Sequence, residues 1–216
     1  MLEKMDAFFE ARLDGYDAHM LKNIEGAEQF YPYTASCLPQ GKPHILDLGC
    51  GTGLELEFYF TKNPNAEVTG IDLSAAMLRA LERKFPDQKL TLICGSYFSK
   101  DLGESIYDAA VSVESLHHFT KEEKISLYRK LHHALKEDGF FILTDYFAPT
   151  QALEEQYRNE LVRLKKCQGI NDDAFYHYDT PLTVEHEKEA LLDAGFHTVE
   201  VLNNWEATVT IKASKK

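Results

Sequence analysis

A glycine-rich segment near residue 50 has the residue types and the spacing of a loop that binds a nucleoside. It reads Asp47-Leu48-Gly49-Cys50-Gly51-Thr52-Gly53, with a short apolar run before it and a helical pattern after it. Glycine is needed where a chain turns sharply or where backbone approaches a ligand closely, and the amides of a helix N-terminus then face that ligand. The alternative is a tight turn that binds nothing.

An acidic residue further along the chain favours the ligand over the simple turn. Residues 68–72 predict a second strand, and its last residue, Asp72, follows Gly53 by about 20 positions. A carboxylate at this point can accept hydrogen bonds from both hydroxyls of a ribose. The order of strand, glycines, helix, strand and acid therefore predicts a nucleoside-bearing ligand.

The spacing of the glycines helps to choose between nucleoside ligands. Dinucleotide sites normally show G-x-G-x-x-G, because pyrophosphate occupies the helix N-terminus, whereas this loop shows G-x-G-x-G. Asp47 precedes the first glycine by two positions and would repel a pyrophosphate, but it suits a ligand with a cationic amine or sulfonium. An NAD-dependent oxidoreductase is therefore the less favoured alternative.

With these features in this order, the sequence resembles the class I S-adenosylmethionine-dependent methyltransferases. The resemblance is close over residues 44–147, and its further motifs lie at 73–78, 107–111, 115–119 and 135–140. It implies an α/β fold with a Rossmann-like, seven-stranded, mostly parallel sheet, helices on both faces and a C-terminal antiparallel strand. It also implies S-adenosyl-L-methionine as the cofactor and methyl transfer to a small-molecule acceptor, whose identity and accepting atom stay open.

The resemblance also implies a set of residues around the cofactor. The loop backbone would hold the methionine part near Asp47, Asp72 would hold the ribose, and Leu73 and Met77 would pack near the adenine. Ser96 stands where many relatives have an aspartate, so its hydroxyl or Tyr97 is expected to replace that contact. The full expected set is Tyr16, Asp47, Gly49, Cys50, Gly51, Gly53, Asp72, Leu73, Met77, Ser96, Tyr97 and Glu114.

A general base is needed only if the acceptor must lose a proton before methyl transfer. The candidates are Glu114, His117, Asp145 and His177. Adjacent histidines such as His117-His118 are also typical of a turn that supports a loop, and an acid such as Asp145 is also typical of a loop cap. No metal site is predicted, and no C-x-x-C pair occurs.

Alternating strand and helix patterns predict the elements that position these residues. Strands are predicted at 44–48, 67–71, 90–94, 108–113, 140–146, 196–202 and 205–212, with a tight turn at Asn203-Asn204. A capping box at Thr120 and Glu123 begins a helix whose apolar stripe reaches Leu135, with Gly139 just past its end.

Two segments interrupt the alternation and define the domain organisation. Residues 1–43 predict a helical N-terminal segment, and residues 150–183 predict a helical insertion; both are expected to cover the carboxyl ends of the strands as a lid. The cofactor-binding core would comprise residues 44–149. Residues 184–216 would complete it with the last helix and the β-hairpin.

Composition and charge exclude several classes of partner. The chain has 35 acidic and 23 basic residues, so its net charge of −12 repels nucleic acids and anionic lipid surfaces. No run approaches the length of a membrane span or a secretory signal, which predicts a cytoplasmic protein with free thiols. A homodimer stays open. So does a non-enzymatic sensor of S-adenosylmethionine or its demethylated product, because its cofactor site would look the same.

Overall fold

The computed structural model describes residues 1–172 and 174–216, and its centre is a seven-stranded sheet. The strands are β1 (His44–Leu48), β2 (Glu67–Asp72), β3 (Lys89–Cys94), β4 (Tyr107–Val113), β5 (Leu135–Tyr146), β6 (Thr198–Trp205) and β7 (Thr208–Ser214). The helices are α1 (Met5–Ala11), α2 (Tyr16–Asn23), α3 (Ala27–Cys37), α4 (Leu54–Lys62), α5 (Ala75–Lys84), α6 (Lys121–Ala134), α7 (Gln151–Cys167) and α8 (Val184–Asp193). None of these helices is long and apolar enough to cross a membrane.

The strand order confirms the predicted fold class. It is β3-β2-β1-β4-β5-β7-β6, and all neighbours are parallel except the pairs that β7 makes with β5 and β6. The chain direction across the sheet reverses between β1 and β4, so the helices that follow these two strands, α4 and α6, pack on opposite faces. A crevice at such a switch point is where open α/β sheets bind their ligands.

The sheet is covered on both faces by apolar clusters. Alternating residues of β1 divide between them: Ile45 belongs to one cluster, and Leu46 and Leu48 belong to the other. Helices α3 and α4 contribute to the first cluster, and α6 and α8 contribute to the second. Burial on both faces explains why the strand sequences are almost continuously apolar instead of alternating.

The position of the C-terminal hairpin turn differs from the prediction. Asn203 and Asn204 pair with Thr210 and Val209 inside the hairpin, and the turn lies at Glu206-Ala207 instead. Glu206 adopts a positive φ of 55°. Asparagine and glycine adopt this conformation more readily than glutamate, so the sequence pattern favours a turn at the asparagines. The asparagine pair was therefore a misleading turn signal.

The boundary between α6 and β5 also differs from the prediction. The helix ends at Ala134, and Leu135 already pairs with Tyr107 of β4, so Gly139 lies inside the strand instead of following the helix. The ladder shifts register between Tyr107 and Ala109, which accommodates the extra residues. The capping box at Thr120 and Glu123 is present as predicted.

The N-terminal segment and the 150–183 segment contact each other beside the carboxyl ends of the strands. Lys4 and Tyr176 form a β-bridge, and the N–H of Met5 donates to the carbonyl of Phe175 at 3.0 Å. The N–H of His177 donates to the carbonyl of Glu3 at the same distance. That these segments open and close together as a lid stays a prediction.

An acidic residue of α2 holds the N-terminal segment against the glycine loop. The Thr52 hydroxyl donates to Asp17 Oδ1 at 2.5 Å, and Lys84 Nζ donates to Asp17 Oδ2 at 2.6 Å. Lys84 also pairs with Glu57 at 2.6 Å, so one partly buried ammonium joins α2, α4 and α5. We call this set, Asp17, Thr52 and Lys84, the α2 latch.

We expect Asp17→Asn to loosen the N-terminal segment without unfolding the core. The amide keeps the shape but loses the ion pair, so amide hydrogen exchange over residues 5–23 should become faster, whereas exchange in β1 and β4 should not change. Glu10→Gln, an exposed change on α1, is the matched control. Identical exchange in wild type and Asp17→Asn would show that the latch does not hold the segment.

Candidate active site

The glycine loop adopts a backbone that other residues rarely adopt. Gly49, Gly51 and Gly53 all have positive φ angles, of 73°, 49° and 73°. A Cβ on Gly49 would lie 2.0 Å from the Ser115 hydroxyl oxygen, so this residue must be glycine for the loops after β1 and β4 to approach. A Cβ on Gly51 would meet nothing within 4 Å, because that position faces open space.

Asp72 fastens the glycine loop to the end of β2. Its Oδ2 accepts from the N–H of Gly51 at 2.9 Å, and its Oδ1 accepts from the N–H of Ser74 at 2.8 Å. Burial raises the pKa of Asp72, and the two amide donors partly counteract that effect. Each carboxylate oxygen keeps a further lone pair, so the side chain can still accept hydrogen bonds from a ligand.

A narrow cleft of about 50 Å³ lies along the loop and Asp72. Eight of the expected cofactor residues line it: Tyr16, Gly49, Gly51, Asp72, Leu73, Met77, Tyr97 and Glu114. The other lining residues are Met5, Phe9, Val113, Ser115 and His118. Aromatic and apolar side chains of the N-terminal segment thus close a cleft whose other wall is the glycine loop.

The remaining expected cofactor residues lie outside the lining of this cleft. Cys50 is buried against Gly70, where an added Cβ would lie 2.8 Å from its sulfur, and Gly53 packs against Phe85 and Leu81. The Ser96 hydroxyl accepts from the N–H of Phe98 within its own turn. These positions shape the loops, and Asp47 lies beneath the loop.

Asp47 forms a buried acidic pair with Glu55, a residue that the sequence analysis did not select. Both side chains are fully buried, and within the described residues neither Asp47 Oδ2 nor Glu55 Oε1 has a hydrogen-bond partner. Burial raises the pKa of both carboxyl groups, and their mutual repulsion raises that of Asp47 further. The pair therefore releases its protons at a higher pH than two solvated carboxyl groups would.

The acidic pair makes stability depend on pH in a defined direction. The pKa values of the two carboxyl groups in the folded chain exceed their ordinary values of 3.8 and 4.5. The contribution of the protonated pair to the stability of the fold is therefore complete below the ordinary pKa values. It is lost as the pH rises through the raised pKa values of the folded chain. We expect Glu55→Gln to flatten this decline, so that the melting temperature of the variant exceeds that of wild type at about pH 8 by more than at about pH 5. Glu82→Gln, on the exposed face of α5, is the control. If the melting temperatures of wild type and Glu55→Gln changed with pH in parallel, the raised pKa values of the acidic pair would be contradicted.

A second, much larger cavity of about 830 Å³ adjoins the cleft. Four residues line both spaces: Phe9, Tyr16, Glu114 and His118. We call these four residues the junction. The rest of the cavity is lined mainly by α1, α2, the turn after β6 and the residues near His177. A volume of this size accommodates a small organic molecule beside the cleft.

Glu114 occupies the junction in a strained conformation. It follows β4 with a positive φ of 49°, and its N–H donates to the carbonyl of Thr144 at 2.9 Å. Its carboxylate accepts from the Thr208 hydroxyl at 3.1 Å. Burial raises its pKa to about 7, although the nearby His117 cation lowers it. Backbone strain of this kind at a non-glycine residue concentrates at functional sites.

His117 and Asp145 form a buried pair beside the junction. His117 Nδ1 lies 2.5 Å from Asp145 Oδ1, and Asp145 Oδ2 accepts from the N–H of Leu116 at 2.9 Å. Burial opposes the charged imidazolium, but Asp145, Asp179 and Glu114 outweigh it and raise the pKa of His117 to about 9. Asp145 is not among the described residues that line the cavity, and its carboxylate contacts His117 and the N–H of Leu116.

The segment after α7 brings two further polar residues to the same place. Asp179 Oδ1 lies 3.6 Å from His117 Nε2 and 3.2 Å from His118 Nδ1. His177 stacks on Phe8 with ring centroids 3.5 Å apart, and burial lowers its pKa to about 4. Of the predicted catalytic residues, Glu114, His117 and His177 thus line the cavity. The sequence analysis missed the contact with Asp179, because nothing in the spacing connects residue 179 with the histidine pair.

Comparisons with known proteins agree with this geometry. Residues 45–139 match the family described as a methyltransferase domain. The carboxy-S-adenosyl-L-methionine synthase of Nitratiruptor sp. is 27% identical over 187 residues, which cover 81% of this chain and 77% of that protein.

Two solved structures share the fold. One is a S-adenosylmethionine-dependent methyltransferase of Thermotoga maritima, with a TM-score of 0.67 and 18% identity over 98% of this chain and all of that one. The other is human N-acetylserotonin methyltransferase in complex with its cofactor, with a TM-score of 0.66 and 17% identity; the match covers 97% of this chain and 56% of that one.

The reversed strand order, the glycine loop and the acid after β2 define a Rossmann-like nucleoside-binding protein. Residues 45–139 match the methyltransferase domain, and the relatives and the shared fold agree with the resemblance to the class I S-adenosylmethionine-dependent methyltransferases. S-adenosylmethionine is its cofactor, and the resemblance seen in the sequence is confirmed.

We expect Asp72→Ala to weaken S-adenosylmethionine binding by about 1–3 kcal/mol, because the change removes an acceptor from the cleft and strands two backbone amides. Calorimetric titration of the purified protein measures the effect. Asp87→Ala, in the exposed turn after α5, should bind the cofactor like wild type. Unchanged affinity in Asp72→Ala would remove this residue from the cofactor site.

Proposed function

We propose that this methyltransferase methylates a small molecule that binds in the 830 Å³ cavity, and that transfer takes place at the junction. The observation that carries this proposal is that Phe9, Tyr16, Glu114 and His118 line both the cofactor cleft and the larger cavity. A nucleophile in one space and a sulfonium in the other would meet at these four side chains.

The chemistry demands alignment and exclusion of water. The acceptor atom attacks the methyl carbon, the bond from carbon to sulfur breaks, and its electron pair returns to sulfur as a neutral thioether. The acceptor releases a proton if it carried one. Holding the two reactants in line can lower the barrier by roughly 7–11 kcal/mol. The rings of Phe9 and Tyr16 would shield the sulfonium from water and attract it through cation–π contacts.

We assign separate roles to the predicted catalytic residues. Glu114 and His117 face the cavity. Glu114, with a pKa of about 7, could receive a proton from an acceptor. His117, with a pKa of about 9, is already protonated near neutral pH, and Asp145 acts through its hydrogen bond to it. His177 packs on Phe8 and shapes the cavity. In the cleft, Asp72 would bind the ribose, Leu73 and Met77 would contact the adenine, and the buried charge of the Asp47–Glu55 pair would favour the cationic methionine part.

The relatives named carboxy-S-adenosyl-L-methionine synthases suggest a second candidate function, which adds a carboxylate to the cofactor. The charge of the cavity opposes it here. Its lining includes the acids Asp14, Glu25, Glu114, Asp179 and Glu206. Two lining cations are already paired: Arg12 with Glu3 at 3.2 Å, where it also lies over the ring of Phe8 at 3.6 Å, and His117 with Asp145 at 2.5 Å. A new carboxylate would be repelled, so methyl transfer is favoured.

A sensor without catalytic activity is less favoured for a steric reason. A protein that only detects the cofactor needs no space beside the methyl group. Here a cavity more than large enough for an acceptor opens at the junction. The volume therefore supports an enzyme with a second substrate.

The test is to incubate the protein with S-adenosylmethionine labelled in its methyl group and with fractions of a metabolite extract. We expect label to enter a small molecule, which gains one CH₂ unit, while S-adenosylhomocysteine accumulates. Transfer of label to no fraction, or a cofactor that gains a carboxyl group, would contradict the proposal.

A filled cavity provides the matched variant. Ala207→Trp places an indole in the cavity lining and should abolish methyl transfer, whereas cofactor affinity should remain near that of wild type, because Ala207 lines the cavity and not the cleft. Ala207→Ser is the conservative control and should retain transfer. Full transfer by Ala207→Trp would show that the acceptor binds elsewhere.

A further inference from the structure

We propose that His117, His118 and Asp179 form a binding site for a divalent transition metal ion, with Zn²⁺ as the favoured ion. The sequence analysis predicted no metal here, because Asp179 is distant from the histidine pair in the sequence. The fold supplies that carboxylate from a segment 60 residues away. One potential ligand atom of each residue lies within 4.8 Å of those of the other two.

Two of the three separations between these atoms are close to the edge of a coordination tetrahedron. Ligand atoms about 2.0–2.1 Å from a zinc ion are about 3.3–3.4 Å from each other when the geometry is tetrahedral. Asp179 Oδ1 lies 3.2 Å from His118 Nδ1 and 3.6 Å from His117 Nε2. The ligand atoms of the third pair, His117 and His118, lie within 4.8 Å of each other.

The chemistry of the ligands selects the class of ion. Two imidazole nitrogens and one carboxylate oxygen suit zinc and its neighbours, whereas calcium and magnesium prefer oxygen ligands throughout. Three protein ligands and one open position are typical of catalytic instead of structural zinc sites. The three ligands are two histidines and one aspartate, without a cysteine, whereas a structural zinc finger uses cysteine thiolates.

Asp145 supplies the support that metal-bound histidines require. Its Oδ1 lies 2.5 Å from His117 Nδ1, so the other ring nitrogen of His117 is directed toward Asp179. A carboxylate behind a histidine ligand fixes the orientation of the ring and strengthens its bond to the metal. Asp145 is itself held by the N–H of Leu116 at 2.9 Å. It is therefore a positioning residue for the site.

The site is buried on one side and open on the other. The side chains of His117 and His118 are 9% and 2% exposed, whereas that of Asp179 is 49% exposed. All three residues line the large cavity, and His118 also belongs to the junction. A fourth coordination position would face the cavity, where it would take an oxygen, nitrogen or sulfur atom of the acceptor; this role rests on the proposed function, whereas binding of the ion does not.

Hydrogen bonding without an ion is the competing explanation. His118 Nδ1 also lies 3.3 Å from the carbonyl oxygen of Tyr178, so the cluster could be satisfied by protons alone. The two explanations differ at Asp179. An asparagine there preserves size and hydrogen-bonding capacity but removes the negative charge and weakens a metal ligand.

The experiment is a calorimetric titration of chelator-treated full-length protein with zinc chloride. We expect wild type to bind one equivalent, and we expect Asp179→Asn and His118→Ala each to lower the affinity at least tenfold. Asp145→Asn should lower it about 10–100-fold, as expected for a residue that orients a ligand. Magnesium chloride should give no comparable binding.

Two control variants exclude trivial binding. Asp14→Asn removes another acid that lines the cavity, and His133→Ala removes an imidazole from the second adjacent histidine pair of the chain. Both should bind zinc like wild type. Cobalt substitution reports the ligands: absorption typical of tetrahedral nitrogen and oxygen coordination, without a thiolate charge-transfer band, is expected. That band would assign the ion to a cysteine and overturn the proposal.

Equal zinc affinity in wild type and Asp179→Asn, or no binding by wild type, would also overturn the proposal. Cofactor titration of the same samples separates this outcome from failure of the proposed function. Asp179 lies outside the cleft, so Asp179→Asn should still bind S-adenosylmethionine, and that result also shows that the variant is folded. Loss of zinc binding with retained cofactor binding is the supporting result.

Discussion

The close approach of the loops after β1 and β4 is the constraint on which the site depends. Gly49 lies so near Ser115 that any side chain would collide with the hydroxyl, and this contact can form only where the strand order reverses. It lets the loop lie across Asp72 and places Glu114 at the end of the cleft. A displacement of either loop would therefore change the cofactor site and the junction together.

The site concentrates negative charge where a cation must bind. The acids Asp47, Glu55, Asp72 and Glu114 all have raised pKa values, and burial is the largest cause in each case. Such groups are unfavourable in the empty protein, and a sulfonium or ammonium group within about 4 Å would offset that cost by several kcal/mol at an effective dielectric constant of about 20. Affinity for a positively charged cofactor thus arises from carboxyl groups that the fold has partly deprived of water.

Much of the architecture could be predicted from local patterns, whereas the acceptor side could not. The glycine loop, Asp72 and the capping box at Thr120 follow from residue types at short spacing, and each occupies its predicted element. The hairpin turn was misplaced, because Trp205 packs beneath Gly26 and extends the strand past the asparagines. The Glu55 partner of Asp47 and the approach of Asp179 to the histidines depend on tertiary packing, which carries no signal in sequence spacing.

The α2 latch has a consequence for turnover. The same helix that it fastens contributes Tyr16 to the walls of both spaces, so a movement of α2 that widened them would break the contacts of Asp17 with Thr52 and Lys84. A catalytic cycle that included this movement would have to separate a partly buried ion pair. Product release would then be slower, while water would be kept away from the transferred methyl group. Added salt screens the ion pair and would therefore make the exchange of cofactor and product faster.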